Sequence, residues 1–173
     1  MRATHLDAEK RYDDIRKMTI NAAQRRLLQR ADYANIKLSA IDNKSLLASK
    51  AWNLSSKRQL DWDWIDGYSA FRFRYPKRFE LAVWHKGTLM SLTLGRPTYY
   101  GTALRLDFIE ANPEKPKDIA VFPIVLFAMI VYAEALGANE LRVMKPINQN
   151  VKRYYESSGL TYVAKGDYLY IRL

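Results

Sequence analysis

The stretch NQNVKRYYESSGL, residues 148–160, carries the most information about the fold. It predicts a helix, because Asn148 is a residue type that caps helix N-termini and Gly159 is one that ends helices. The segment before it, NELRVMKP, predicts a strand. The segment after it predicts a hairpin, residues 160–165 and 167–173. The C-terminal part of the chain is therefore expected to run strand, helix, strand, strand.

Three strands and one apolar helix are predicted upstream of this stretch. A hairpin formed by residues 78–85 and 88–95 turns at Lys86-Gly87, where glycine supplies a positive φ. Residues 102–111 predict the next strand, in which period two places Leu104, Leu106 and Phe108 on one face, with Glu110 if the strand stays regular to its end. In a regular strand Asp107 and Glu110 face opposite sides, and a bulge would change that. Residues 118–136 are strongly apolar and end at Gly137, as in a buried helix, with Pro123 about one turn inside.

The N-terminal part predicts a long amphipathic helix, residues 7–30, capped by Asp7. A strand at residues 34–40 and a short helix at residues 42–52 follow. The segment DWDWIDGYSAFRFRYP, residues 61–76, has a helical apolar face, and its aromatic side chains either pack in the core or stack on nucleic-acid bases. Strands that alternate with helices around a meander predict an α/β (α+β) fold, a single domain with a mixed sheet.

Composition excludes several classes of protein. The 173 residues are enough for one domain with a sizeable core. The chain has no Cys and two His, which excludes a disulfide scaffold and a thiolate metal site and makes a multi-histidine metal site unexpected. The chain start lacks the apolar run of a signal peptide, and the longest apolar stretch is shorter than the roughly 20 residues that span a bilayer. We therefore expect a cytoplasmic location, no membrane partner and no metal.

The formal charge of +10 is unevenly distributed. Residues 1–60 hold 13 Lys and Arg against 6 Asp and Glu, whereas the rest of the chain is close to balanced. Such an excess indicates a polyanionic partner or ordinary solubility charge, and both interpretations stay open. The residues expected to contact a nucleic acid or a protein partner lie in the predicted N-terminal helix: Arg16, Lys17, Arg25 and Arg26.

Taken in order, these segments resemble the GCN5-related N-acetyltransferases (GNAT). The match is closest at Asn148, Val151, Tyr155 and Gly159-Leu160. The segments YAEALGANELRV and FELAVWHKGTLMSLTLG resemble the family's cofactor-binding helix and its hairpin of the second and third strands. The resemblance implies a mixed, splayed sheet flanked by helices, with acetyl-CoA between the fourth and fifth strands. Residues 34–173 would form this GNAT-like domain, and residues 1–33 an added basic helix.

The resemblance also implies roles for individual residues. Tyr155 would be the general acid and Glu110 the base, with Asp107 as the second candidate. Asn148 would bind the pantetheine arm, and the backbone near Phe108 and Ile109 would polarise the thioester. Lys115, Lys117, Ile119 and Ala120 would bind the pyrophosphate. Structural alternatives stay open: Tyr155 packs on the sheet, Asn148 caps its helix, and each carboxylate pairs with Arg105 or Lys115.

One segment departs from the family pattern. The family usually has a glycine-rich loop at the start of the helix after the fourth strand, whose amides bind the pyrophosphate. Here the segment is ANPEKPKDIAVF, residues 111–122, which contains no glycine. Pro116 removes an amide donor, and Glu114 and Asp118 add negative charge. Lys115 and Lys117 would substitute as point charges.

Three functions are compatible with these observations. The first is an acetyl-CoA-dependent N-acetyltransferase whose amine acceptor, a small molecule or a macromolecule, is unknown. The second is a catalytically inactive protein on the same fold that binds nucleic acid or a protein partner. The third is an acetyltransferase that acts on charged tRNA. The oligomeric state stays open.

Overall fold

Helices and strands alternate along most of the chain in this computed structural model, which describes residues 4–173. The helices are α1 (His5–Leu27), α2 (Asn43–Ser49), α3 (Trp64–Arg74), α4 (Val121–Leu136) and α5 (Gln149–Ser157). The strands are β1 (Ile36–Ser39), β2 (Phe79–His85), β3 (Thr88–Pro97), β4 (Ala103–Ala111), β5 (Glu140–Met144), β6 (Thr161–Val163) and β7 (Tyr168–Arg172). None of these helices is both long and apolar enough to cross a membrane.

The strands form one mixed sheet in the order β1-β2-β3-β4-β5-β7-β6. Every neighbouring pair is antiparallel except β4 and β5, which are parallel. A parallel pair needs a crossover connection, and α4 supplies it. The predicted mixed sheet with flanking helices is thereby confirmed.

Helices cover the two faces of this sheet unequally. On one face α1, α4 and α5 pack against all the strands from β1 to β7 in a large apolar core. On the other face α2 and α3 pack mainly against β2 and β3, in a smaller and aromatic-rich core, and α3 also contacts the end of β4 through Phe71 and Trp64. The α1 helix contributes Ile20, Ala23 and Leu27 to the large core, so it folds together with the sheet. The boundary at residue 33 stays a prediction, and residues 1–3 of that segment lie outside the described residues.

A β-bulge in β4 reverses the alternation of its side chains. Leu94 of β3 pairs with Phe108 and Gly95 pairs with Leu106, so Asp107 is an extra residue. Leu104 and Leu106 lie in the large core, whereas Phe108 and Glu110 contact tryptophans on the opposite face. The expectation that all four share a face is wrong, because a bulge shifts every later side chain by one position.

Two helices begin at other residues than expected. Thr4, not Asp7, is the N-cap of α1. Asp7 is the third residue of the helix and completes a capping box, in which each of the two side chains accepts from the backbone amide of the other residue. The apolar helix α4 starts at Val121 rather than at residue 118. Pro123 is therefore its third residue, where an N–H would have no partner within the helix.

Arg16 is buried rather than exposed. Only 1% of its surface is accessible, and its guanidinium donates to the Pro76 carbonyl at 2.7 Å and to the Arg78 carbonyl at 3.2 Å. It also pairs with Glu9 at 3.2 Å. The prediction that Arg16 contacts a partner is wrong, because its charge already satisfies buried acceptors. Lys17, which pairs with Asp13 at 2.9 Å, stays exposed, as do Arg25 and Arg26.

Arg16 belongs to a charge-balanced network with Arg78, Glu9 and Glu80. Arg78, also 1% exposed, pairs with Glu9 and with Glu80, both at 2.9 Å. Glu80 accepts from the Tyr68 hydroxyl at 2.7 Å and from the Ile41 amide at 3.0 Å. Burial and the Glu80 charge raise the pKa of the Tyr68 hydroxyl, which keeps it a donor. The network joins α1 to β2 and α3 at one end of the sheet.

Candidate active site

A cleft opens where β4 and β5 separate. The two strands pair only from Ala103–Leu106 to Glu140–Val143, and beyond these residues they diverge. The opening is a cavity of about 650 Å³. Its walls come from residues 57–62, Trp64, residues 106–113, residues 143–147 and two residues of α5, Val151 and Tyr155. The bulge in β4 lies at its base and sends Asp107, Phe108 and Glu110 toward the side of α3.

Tyr155 is the α5 side chain best placed for acid chemistry. It is 7% exposed, packs on Phe122 at 4.4 Å between ring centroids, and lines the cleft. Its hydroxyl makes no hydrogen bond within residues 4–173. Burial raises its pKa to about 12, so the hydroxyl is protonated at neutral pH. Tyr155 thus packs in the large core and also lines the cleft, with a hydroxyl that is not engaged by the described residues.

Glu110 lies in the cleft, but its carboxylate is occupied. Arg58 binds it in a bidentate arrangement, at 2.8 Å from Nε to Oε2 and 3.0 Å from Nη2 to Oε1. The Trp64 indole N–H donates to Oε1 at 2.8 Å. Glu110 therefore forms an ion pair, as one of the alternatives predicted, but its partner is Arg58 and not Arg105 or Lys115. A guanidinium at this place competes with a cationic acceptor for the same carboxylate.

Asp107 offers a less occupied carboxylate. Its Oδ1 accepts from Arg105 at 2.7 Å, while its Oδ2 lies 3.5 Å from Arg96 and has no hydrogen-bond partner among residues 4–173. Burial raises the pKa of this carboxyl, although Arg105 and Arg96 oppose the shift. A raised pKa brings a carboxylate closer to the value that suits a general base.

Residues 55–63 cover one side of the cleft. Ser55 and Lys57 both bind the Glu114 carboxylate, at 2.6 and 3.1 Å. Trp62 stacks on Phe108 with 4.2 Å between ring centroids and 6° between the ring planes. Together with the Arg58 pair, these contacts fix an irregular segment against the end of β4. They also neutralise the charge of Glu114, one of the two acidic residues in the glycine-free loop.

The predicted pyrophosphate residues lie before and at the start of α4. The Lys115 ammonium donates to the Ile119 carbonyl at 2.7 Å, and Lys117 is exposed with no ion pair in the described part of the chain. Ile119 is not a free amide donor, because its N–H donates to the Pro116 carbonyl at 3.2 Å. Ala120 is the N-cap and forms no side-chain cap, so the amides of Val121 and Phe122 are the ones that α4 can offer to an anion, because Pro123 has no N–H.

Asn148 acts as a helix cap in this structure. Its side-chain oxygen accepts from the Val151 amide at 2.9 Å, at the N-terminus of α5. Its role toward a pantetheine arm stays a prediction. Phe108 and Ile109 do line the cleft, on the stretch of β4 that has lost β5 as its neighbour.

These residues fit acetyl-CoA at two levels. The unpaired edge of β4 matches the requirement of a pantetheine arm for backbone partners, and the cavity reaches Tyr155. The uncapped N-terminus of α4, with Lys115 and Lys117 before it, suits a diphosphate. Pro116 and the absence of glycine leave fewer donors than a glycine-rich loop offers.

Arg58 is the residue of the site that the sequence did not predict. Arg58 precedes Glu110 by 52 residues, and no local pattern marks it within a Ser/Lys/Arg stretch. The aromatic segment did contain a signal, since both core packing and base stacking were considered. Trp64, Tyr68 and Phe71 are buried in the smaller core, whereas Trp62 faces the cleft.

Comparison with solved structures identifies the architecture as the GNAT fold. Ard1 from Thermoplasma volcanium matches with a TM-score of 0.61 at 11% identity, over 80% of this chain and 98% of that one. A GNAT-family acetyltransferase from Staphylococcus aureus matches with a TM-score of 0.61 at 9% identity, over 80% and 99%. A spermidine N-acetyltransferase from Vibrio cholerae matches with a TM-score of 0.58 at 14% identity, over 80% and 94%.

No protein-family profile and no curated protein matches the sequence. The fold predicted from the order of elements is confirmed, and low identity fits a divergent member of that fold. Fold alone does not establish an activity, so function has to be argued from the cleft.

Proposed function

We propose that this protein is an N-acetyltransferase that uses acetyl-CoA. The observation that carries the proposal is the cleft between β4 and β5, which is lined by Tyr155, a residue whose hydroxyl makes no hydrogen bond within residues 4–173. Acetyl-CoA would supply the thioester. The solved structures with this fold include a protein described as a spermidine N-acetyltransferase, which supports amine acceptors as a class. A cytoplasmic location stays a prediction.

Tyr155 acts as the acid in this proposal. When the acceptor amine forms its C–N bond and the C–S bond breaks, the leaving thiolate needs one proton. A buried tyrosine with a pKa of about 12 holds that proton at neutral pH and is a stronger acid than bulk water. Successive amides of a strand point to opposite edges, so the amide near residues 108 and 109 that points away from β3 would polarise the thioester carbonyl.

Asp107 is the better candidate for the base that receives the amine proton. Its Oδ2 makes no hydrogen bond among the described residues and lies 3.5 Å from Arg96, whereas both oxygens of Glu110 are hydrogen-bonded by Arg58. We assign Glu110 to positioning residues 55–63, so that Trp62 is held on Phe108. Glu110 becomes available to a cationic acceptor only if that acceptor displaces Arg58.

The test combines binding with a matched pair of variants. Isothermal titration with acetyl-CoA should show binding, and release of free thiol should follow with one or more members of a panel of polyamines and of peptides with free N-termini. Tyr155→Phe should keep the affinity for acetyl-CoA and lower kcat by about 10²- to 10⁴-fold. Its control is Tyr154→Phe, since the neighbouring side chain is 44% exposed and lies outside the cleft lining.

Two outcomes would contradict this proposal. Absence of binding at millimolar acetyl-CoA favours the catalytically inactive alternative, in which the glycine-free loop no longer holds a diphosphate. Equal activity of the two tyrosine variants would remove Tyr155 from the mechanism. Activity that requires aminoacylated tRNA as acceptor, with none on the other amines, would select the charged-tRNA alternative.

A further inference from the structure

The sheet face that carries α2 and α3 continues beyond these helices as an arginine row, and Arg96 at its near end lies 4.3 Å from the centre of the Tyr75 ring, which ends α3. Arg96 of β3 pairs in register with Arg105 of β4, and Arg105 pairs with Arg142 of β5. Arg142 pairs in turn with Tyr170 of β7. Residues paired in register point to the same face of a sheet, so three arginines lie side by side across three strands. Their side chains are 26–30% exposed.

Like charges directly opposite each other destabilise a sheet. Two carboxylates offset part of this repulsion, since Asp107 pairs with Arg105 at 2.6 Å and Glu140 pairs with Arg142 at 3.2 Å. Arg172, which is exposed and pairs in register with Glu140, adds a fourth cation to the same face. Four arginines against two carboxylates leave an excess of positive charge on an open surface.

Aromatic side chains share this face with the arginines. Tyr168 and Tyr170 are half-buried on β7, and the Arg142 guanidinium lies 4.9 Å from the centre of the Tyr168 ring. The smaller core contains no residue of β5, β6 or β7, whereas α4 and α5 pack on the opposite face. We name the set Arg96, Arg105, Arg142, Arg172, Tyr168 and Tyr170 the arginine face.

We propose that the arginine face binds single-stranded nucleic acid. Flat sheet surfaces with tyrosines and arginines recognise single strands by stacking on bases and pairing with phosphates. The arginines of this face offer charge-assisted hydrogen bonds to phosphates and its tyrosines offer stacking surfaces to bases, so the face combines both contacts that bind a single strand. Arg105 of this face contacts Asp107, which lines the cleft, so a bound nucleic acid would lie beside the cleft opening.

Fluorescence anisotropy tests this binding with the full chain and without acetyl-CoA. The probes are labelled single strands of about 12 nucleotides, one a U-rich RNA and the other a T-rich DNA. Four phosphate contacts predict that the Kd rises about 50-fold between 50 and 200 mM salt. Arg142→Gln/Arg172→Gln, which leaves both residues that contact Asp107 unchanged, should reduce that rise to about 7-fold. Tyr170→Leu should weaken binding by about 5- to 150-fold through lost stacking.

The matched control is Arg25→Gln/Arg26→Gln, which removes the same charge from the exposed surface of α1. It should keep the salt dependence of the unmodified chain. Loss of binding in this control but not in Arg142→Gln/Arg172→Gln would overturn the proposal and move the site to α1. So would the absence of binding at 50 mM salt, equal salt dependence of all variants, or self-association that only the arginine-face variants abolish. None of these measurements depends on acetyl transfer.

Discussion

Replacing Arg16 with alanine should be among the most destabilising changes in this protein. The substitution removes the donor for two buried carbonyls, at 2.7 and 3.2 Å, and the partner of Glu9 at 3.2 Å. It also unbalances a network in which Glu80 is 2% exposed. Breaking a buried ion pair by removing one partner costs about 3–5 kcal/mol, because the remaining charge stays buried without compensation.

That free energy converts into a large thermal shift. For a chain of this size each kcal/mol lowers Tm by about 2–4 °C, so Arg16→Ala should melt about 6–20 °C below the unmodified protein. Thermal melting and urea unfolding, both followed by tryptophan fluorescence, measure the change and check that unfolding is two-state. The matched control is Lys17→Ala, since Lys17 is the exposed neighbour with a surface ion pair to Asp13.

The control should melt close to the unmodified protein, because an exposed pair is solvated in both states. Equal, small shifts for the two variants would refute the reasoning. Such a result would mean that Arg16 faces solvent and that its carbonyl acceptors are hydrated, as the sequence pattern alone predicted. Arg16→Lys separates charge from geometry, since a lysine keeps the charge but cannot reach both carbonyls and Glu9 as a planar fork.

Two further predictions concern the edge of the sheet and the cleft. Gln24 binds the edge strand β1 through the Ile36 carbonyl at 2.9 Å and the Leu38 amide at 2.6 Å. Gln24→Ala should therefore lower the free energy of unfolding by about 1–3 kcal/mol and speed hydrogen exchange at the Leu38 amide. Unchanged exchange at that amide would contradict the assigned bonds. Burial raises the pKa of Asp107 above its ordinary value of 3.8. The contribution of Asp107 to folding stability is therefore complete below pH 3.8 and is lost as the pH rises through the folded-state pKa. Asp107→Asn should thus gain stability relative to the unmodified protein across that rise, measured by unfolding at stepped pH, and a relative loss would reverse the assigned sign.

Local patterns in the sequence determined most of the secondary structure. Gly137 and Gly159 end α4 and α5, the Lys86-Gly87 turn joins β2 and β3, and Asn148 caps α5 as expected. These features depend on residues within one helical turn or one hairpin, so the chain near them is sufficient to specify them. The order of elements was then enough to predict the mixed sheet.

Tertiary structure decided the chemistry of individual side chains. The buried stripe of α1 includes Arg16 because the carbonyls of residues 76 and 78 accept from it, and helical spacing alone assigns any arginine to solvent. The bulge at Asp107 depends on the register with β3, so alternation along β4 could not reveal which carboxylates share a face. Arg58 reaches Glu110 across 52 residues of sequence. Burial, register and charge pairing are properties of neighbours brought together by folding, whereas the sequence records only neighbours along the chain.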